Sequence, residues 1–343
     1  SKDVHDAIVE LKKEGMQQLV LDLRGNPGGL LKEAVSLSNL FVPKGEMIVS
    51  TKGKVKDWNK KYKATQAPLD KDMPLVVLVN SGSASASEIV SGVIQDLDRG
   101  VIIGQRTFGK GLVQTTRPLS YNSQLKVTTA KYYIPSGRCI QALDYTNRNA
   151  DGSVGKVPDS LITKYATKAG REVFDGGGIN PDIEVEPVQL SDVAFNLGMK
   201  MLYFDFATEY YHGHKEIAEV SDFRIDDALF GEFKAWLESK EFDYSTDSEK
   251  MLERLKKVAE DDKYFARIET EFNALESQLK HNKAKDLEEF QKEVKELLRG
   301  EIISRYYYQN GRIEAMLEDD QDVKKALEIL ANTSEYNRIL SDA

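Results

Sequence analysis

The stretch from Pro74 to Gln114, PLVVLVNSGSASASEIVSGVIQDLDRGVIIGQRTFGKGLVQ, constrains this chain more than any other. Leu75 to Val79 is an unbroken apolar run, the pattern of a strand buried on both faces in a parallel sheet. A cluster of small residues follows. A helix then runs from Ala86 to Leu97, with Ile89, Val90, Val93, Ile94 and Leu97 on one face. Gly100 closes it, and Val101 to Gly104 is a further strand. The stretch ends in a Gly-Lys-Gly turn. Upstream, Leu19 to Leu23 repeats the design: a short apolar strand empties into RGNPGG, and a helix runs from Leu30 to Phe41. Strand, glycine-rich turn and helix are half of a βαβ unit. These repeats define an α/β class.

The rest of the chain is read around this frame. Residues 3–14 carry apolar positions at helical spacing and stop at Gly15. Residues 47–64 alternate weakly and predict an exposed strand pair, and Gln124 to Ile134 predicts another strand. Residues 141–172 are polar with little periodicity, so a long excursion or flap is expected. Gly176 to Pro187 returns as a turn and an edge strand. From Ser191 the texture changes to helical repeats without proline. Leu287, Phe290, Val294, Leu297, Leu298, Ile302 and Ile303 mark one amphipathic helix. Tyr306 to Tyr308, Tyr210, Tyr211 and Phe204 are expected to be packing aromatics. Residues 191–343 hold 35 acidic and 22 basic side chains, a net of −13, against −9 for the whole chain. This asymmetry supports domains at 1–189 and 190–343 and argues against a nucleic-acid partner.

At 343 residues one ordinary core does not suffice, and 41% hydrophobic with 30% charged residues is a globular composition. No run approaches the roughly eighteen apolar residues of a membrane span, and no signal-peptide pattern opens the chain. Cys139 is the only cysteine, which excludes disulfide frameworks and cysteine zinc sites. No cofactor or metal is expected. His212 and His214 flank Gly213 without an obvious third ligand and read as a solvated loop.

The absences direct the chemistry. The histidines are His5, His212, His214 and His281, so the α/β half can offer only His5 as a base. A Ser-His-Asp triad there is disfavoured. Lysine is the usual substitute base, and it accepts a proton only where burial disfavours the ammonium form. Lys110, between Gly109 and Gly111 at a strand end, is the candidate; on the turn alone GKG reads as a surface turn with an exposed lysine, and the alternative is a stem that reaches inward. Ser81, Ser83, Ser85 and Ser87 all lie at the strand-to-helix turn. Any of them could cap the helix, or place a hydroxyl where free N–H groups favour an oxyanion. Gly28 and Gly29 could add a second N–H. GQRTFGKG nearly fits a phosphate loop. However, Gly111 replaces the magnesium-holding hydroxyl, and the β-branched LVQTTRPL replaces the helix.

The motifs LVLDLRGNPGGLLKEAV, NSGSASASEIV, GQRTFGKGLVQ, TTAKYYIPSGRCIQ and GGGINPDIEVEP, in this order, closely resemble the carboxy-terminal processing (tail-specific) serine peptidases. The resemblance implies a crotonase-like α/β spiral core followed by an all-α domain. It selects Ser85 as nucleophile and Lys110 as general base. Gln114 falls where relatives orient the lysine, and Glu88 matches a residue implicated in others. The Ala86 N–H with that of Gly28 or Gly29 would form the oxyanion hole. The implied substrates are protein C-terminal tails, and the implied location is the periplasm or cell envelope. Family members usually carry a PDZ domain, which binds a C-terminal carboxylate by strand addition. No segment here reads as one, so an N-terminal part with signal and PDZ domain is expected to be missing. The helical half would serve homodimerisation or substrate gating. Two alternatives stand beside peptidase activity: a scaffold that holds peptide tails without cutting them, and a crotonase-like acyl-CoA enzyme.

Overall fold

A computed structural model describes residues 1–240, 242–279 and 283–341; His281 lies outside them. They form two compact units, one of Ser1–Pro187 with Gln321–Ala343, the other of Val188–Asp320.

In the first unit the chain runs α1 (Lys2–Lys13), β1 (Leu19–Asp22), α2 (Leu31–Asn39), β2 (Met47–Lys52), β3 (Lys60–Lys63), β4 (Leu75–Val79), α3 (Ala86–Asp96) and β5 (Val101–Gly104). It continues through β6 (Leu112–Pro118), β7 (Gln124–Tyr133), β8 (Leu143–Arg148), β9 (Val154–Lys156), β10 (Lys164–Ala166), β11 (Glu172–Phe174) and β12 (Ile183–Glu184). The central sheet has the order β1-β4-β5-β12 and is parallel throughout. Its register sets Leu19 beside Leu75 and Val76 beside Val101. A second, antiparallel sheet has the order β3-β2-β7-β6.

Every residue of β4 is buried, because both faces of the sheet are covered. Alternation sends Val77 and Val79 into one core with Ile89, Val90, Val93 and Ile94 of α3. Val76, Leu78, Val101 and Ile103 point the other way, onto Ala326, Ile329, Leu330 and Tyr336.

The second unit comprises α4 (Asp192–Met199), α5 (Leu202–Gly213), α6 (Asp227–Glu238), α7 (Asp247–Asp261), α8 (Phe265–Leu279), α9 (Lys283–Glu289) and α10 (Gln291–Leu317). Its core gathers Phe206, Phe230, Phe233, Val294, Leu298, Ile302 and Ile303. The run expected as one helix from Leu287 is split, with Phe290 between α9 and α10. Tyr210, Tyr306 and Tyr307 pack on this core, while Phe204, Tyr211 and Tyr308 are exposed.

The residues after Asp320 return to the first unit as α11 (Gln321–Ala331) and α12 (Thr333–Ser341). The single cut expected near residue 190 is therefore corrected. These two helices share the amphipathic pattern of the others, but an open apolar sheet face is what they cover. The Tyr336 hydroxyl accepts from Leu75 N at 2.9 Å and donates to Leu75 O at 3.1 Å, satisfying the buried start of β4. Residues 141–172 also differ from expectation. They hold two small hairpins, β8–β9 and β10–β11, in place of an open flap. Buried ion pairs invisible to periodicity pin this region: Arg138 with Asp96, and Arg171 with Asp98 and Asp182. Among the described residues no helix is long and apolar enough to cross a membrane.

Candidate active site

Because β1 and β4 are parallel neighbours, the loops leaving their ends lie side by side. They are interlocked by hydrogen bonds. Asn80 Oδ1 accepts the N–H of Gly25 at 2.8 Å and of Gly82 at 3.0 Å. The Asn26 carbonyl accepts Ala84 N–H at 3.0 Å. Gly28 is pressed against the other loop, with φ +82°; a Cβ there would lie 2.4 Å from Ala84 O and 2.6 Å from Ala86 N. Only glycine fits this approach.

The structure separates the four serines. Ser83 is fully buried, donates to Leu23 O at 2.7 Å and accepts Asn80 N–H, so its hydroxyl is committed to the loop. Ser87 is buried within α3, and Ser81 is exposed on the loop. Ser85 is half-buried at the N-cap of α3 with φ 56°, a left-handed conformation that side chains other than glycine rarely adopt. Nucleophile elbows of other α/β folds use a similarly strained strand-to-helix turn. The helix dipole and its free N–H groups converge there.

Glu88, one turn into α3, is fully buried. Its Oε1 accepts from Thr107 Oγ1 at 2.6 Å and Gly109 N at 2.7 Å. Its Oε2 accepts from Ser85 N at 2.7 Å and Lys110 N at 2.9 Å. One carboxylate oxygen thus holds the amides of both Ser85 and Lys110. Burial pushes the Glu88 carboxyl up from its ordinary value, and these four donors oppose the shift. On the carbonyl side, the buried Tyr132 hydroxyl lies 3.1 Å from Ser85 O and 2.6 Å from Lys110 O. Burial, with Glu88 nearby, pushes that phenol well above its ordinary value, which keeps it a donor. The peptide groups of Ser85 and Lys110 are therefore gripped by the same two side chains.

The side chains themselves are not joined. Lys110 is exposed, and no hydrogen bond connects its Nζ to Ser85 Oγ. Of the two courses open to the lysine, the exposed surface turn is the one observed: the turn buries Gly109 and Gly111, not the residue between them. A Cβ on Gly109 would meet Ala142 Cβ at 2.4 Å, and Gly111 N–H is held by Gln141 at 2.8 Å. Gln114 is exposed on β6 just past a bulge and makes no bond to Lys110. Of the oxyanion candidates, Gly28 N–H is taken by Asn26 Oδ1 at 2.9 Å. Neither Ala86 N–H nor Gly29 N–H donates to a protein acceptor among the described residues. No group of three His, Cys, Asp or Glu side chains among those residues is placed to hold a metal ion.

Tyr132, Thr107 and Asn80 escaped the sequence reading. In QLKVTTAKYYI, GQRTFGKG and NSGSASAS they look like ordinary strand and loop residues, and only the meeting of β7 with the neighbouring loops gives them partners.

The first unit is thus a parallel α/β sheet with a strained serine turn beside a Gly-Lys-Gly turn, followed in the chain by a helical unit, and known proteins similar to it are peptidases. Residues 1–147 match the model of peptidase family S41, and residues 193–330 that of the probable PDZ-protease C-terminal helical domain. The motif-level resemblance to carboxy-terminal processing peptidases therefore stands, as does the expected class of an α/β core with a helical domain. A carboxy-terminal-processing protease of Bartonella bacilliformis is 49% identical over 145 residues, covering 42% of this chain and 32% of that protein. A probable CtpA-like serine protease of Staphylococcus aureus is 36% identical over 215 residues, covering 61% and 41%. The solved photosystem II D1 C-terminal processing protease aligns at 33% identity over 55% of this chain and 39% of that one, with a TM-score of 0.40. The chain thus spans 32% to 41% of these relatives' lengths.

Proposed function

We propose that the chain carries the catalytic centre of a serine endopeptidase that cleaves polypeptide C-terminal tails through a Ser85–Lys110 pair. The supporting observation is the shared grip of Glu88 and Tyr132 on the Ser85 and Lys110 backbones. With both backbones held, the pair forms when the Lys110 stem turns its Nζ toward Ser85 Oγ. Lys110 Nζ takes the Ser85 proton as Oγ attacks the scissile carbonyl, then passes it to the leaving amine. The free N–H groups of Ala86 and Gly29 stabilise the oxyanion. Water then hydrolyses the acyl-enzyme, with Lys110 as base. Gln114 orients the lysine once it has turned inward. The tail specificity follows the name of the Bartonella relative, a carboxy-terminal-processing protease, and the periplasmic or cell-envelope location follows the motif-level family resemblance alone.

A second reading is a scaffold that holds tails without cutting them, favoured by the exposed Lys110 that reaches no partner on Ser85. One assay separates the two. The full-length protein should cleave an unstructured tail peptide, and Ser85→Ala and Lys110→Ala should each reduce turnover by at least about a thousandfold with unchanged circular dichroism. Turnover retained in either variant rejects the pair. A wild-type protein that binds the peptide without cleaving it establishes the scaffold.

A further inference from the structure

The loop that carries Gly28 and Gly29 begins at Arg24, which is anchored on two sides. Its Nε and Nη2 donate to Asp22, the last residue of β1, with the closest contact at 2.7 Å. Its Nη1 donates to Asp322 Oδ2 at 2.8 Å. Asp322 is buried and stands in the first turn of α11. The planar guanidinium, fixed by carboxylates on two edges, cannot swivel without breaking a charge-assisted bond. The residues that follow are then placed in sequence: Gly25 N–H on Asn80, Asn26 O under Ala84 N–H, Gly28 N–H on Asn26 Oδ1. The next N–H is that of Gly29.

We infer that Asp322 is a positioning residue of the peptidase centre, holding the Gly25–Gly29 loop through Arg24 so that the Gly29 N–H stands opposite that of Ala86. This rests on the peptidase reading above for its catalytic consequence, though not for its structural one. It also gives the discontinuous first unit a function. The chain leaves that unit at Pro187 and re-enters at Gln321, so Asp322 is the second residue after the helical unit. The end of that long excursion is tied directly to the loop beside the nucleophile.

The test uses the full-length protein with Asp322→Asn and Asp322→Glu. Asp22 still anchors Arg24 in both, so the loop loses one tether and not its fold. Asp322→Asn should lower kcat about ten- to a hundredfold with KM for a tail peptide nearly unchanged. Affinity for a peptide aldehyde, whose tetrahedral adduct needs the oxyanion N–H groups, should fall in parallel, while affinity for the matching inert peptide amide stays constant. Asp322→Glu should recover most of the loss. In the absence of substrate, amide exchange at residues 25–29 should quicken in Asp322→Asn while α3 and β4 stay protected. Wild-type kcat, aldehyde affinity and loop exchange in Asp322→Asn would overturn the inference, as would a uniform loss of protection across the unit without rescue by glutamate. If the unaltered protein cleaves nothing, the peptidase reading fails by itself, and the exchange measurement alone decides the role of Asp322.

Discussion

At the scale of single residues, Glu88 and Tyr132 explain how a serine and a lysine that are distant in sequence share one site. A buried carboxylate is costly unless it is fully hydrogen-bonded, and Glu88 is satisfied by four donors. Tyr132 completes the frame on the carbonyl side. Tyr132→Phe keeps the ring and removes only the hydroxyl, whose single proton the two carbonyls share; Ser85 O keeps the Ile89 N–H at 3.0 Å, while Lys110 O loses its 2.6 Å donor. It should cost about 1–3 kcal/mol in urea unfolding and lower kcat by roughly tenfold; an unchanged kcat would show that the grip does not matter to the chemistry. None of this was legible in the sequence. The lack of histidine between residues 6 and 211 pointed to Lys110, and the resemblance chose Ser85. A lysine's exposure, however, depends on which atoms of its turn are buried, and GKG does not encode that. The choice between Gly28 and Gly29 was likewise open in the sequence, which does not encode the Asn26 side chain's bond to Gly28 N–H.

At the scale of elements, the central strands and α3 were legible almost residue for residue. An all-apolar run and a one-sided helix have a single physical solution, burial in a parallel sheet with the helix against it. The hairpins of residues 141–172 were not, because what fixes their place is non-local, as where Arg171, in the turn between β10 and β11, pairs with Asp98 and Asp182. A simpler tether holds α1. Its Lys12 bonds Asp70, which also accepts the N–H groups of Asp72 and Met73 at 2.9 Å each, just before β4. The lysine, and then those two amides, hold the Asp70 carboxyl down at about 2. A depressed carboxylate contributes stability that is complete above its ordinary range and is lost as pH falls toward about 2. The pair is partly exposed to solvent, so the effect is modest, below about 1 kcal/mol. Asp70→Asn should therefore lower Tm slightly at pH near 6, with the gap to wild type narrowing below about pH 4 and closing only by roughly pH 2. A gap of the same size at both pH values would contradict this assignment.

At the scale of the molecule, the charge asymmetry located a helical half but misjudged its end. The acidic balance says which helices are solvated, not which of them an open sheet face recruits. Val76, Leu78, Val101 and Ile103 are fully buried beneath α11 and α12. A fragment ending at residue 189 leaves that face in water and should aggregate on expression. A chain joining 1–187 to 321–343 through a flexible linker should be monomeric and soluble, as size-exclusion chromatography would report. A monodisperse 1–189 fragment would show that the last two helices are dispensable to the core. The central claim, that Ser85 acts as the nucleophile with Lys110 as its base, is tested most directly by trapping the acyl-enzyme. The full-length protein is quenched in acid during turnover of a slow tail-peptide ester, and the adduct is located by mass spectrometry. The account predicts acylation on Ser85 alone, lost in Lys110→Ala. Acylation on Ser81, Ser83 or Ser87, or an adduct on Ser85 undiminished by Lys110→Ala, would contradict it.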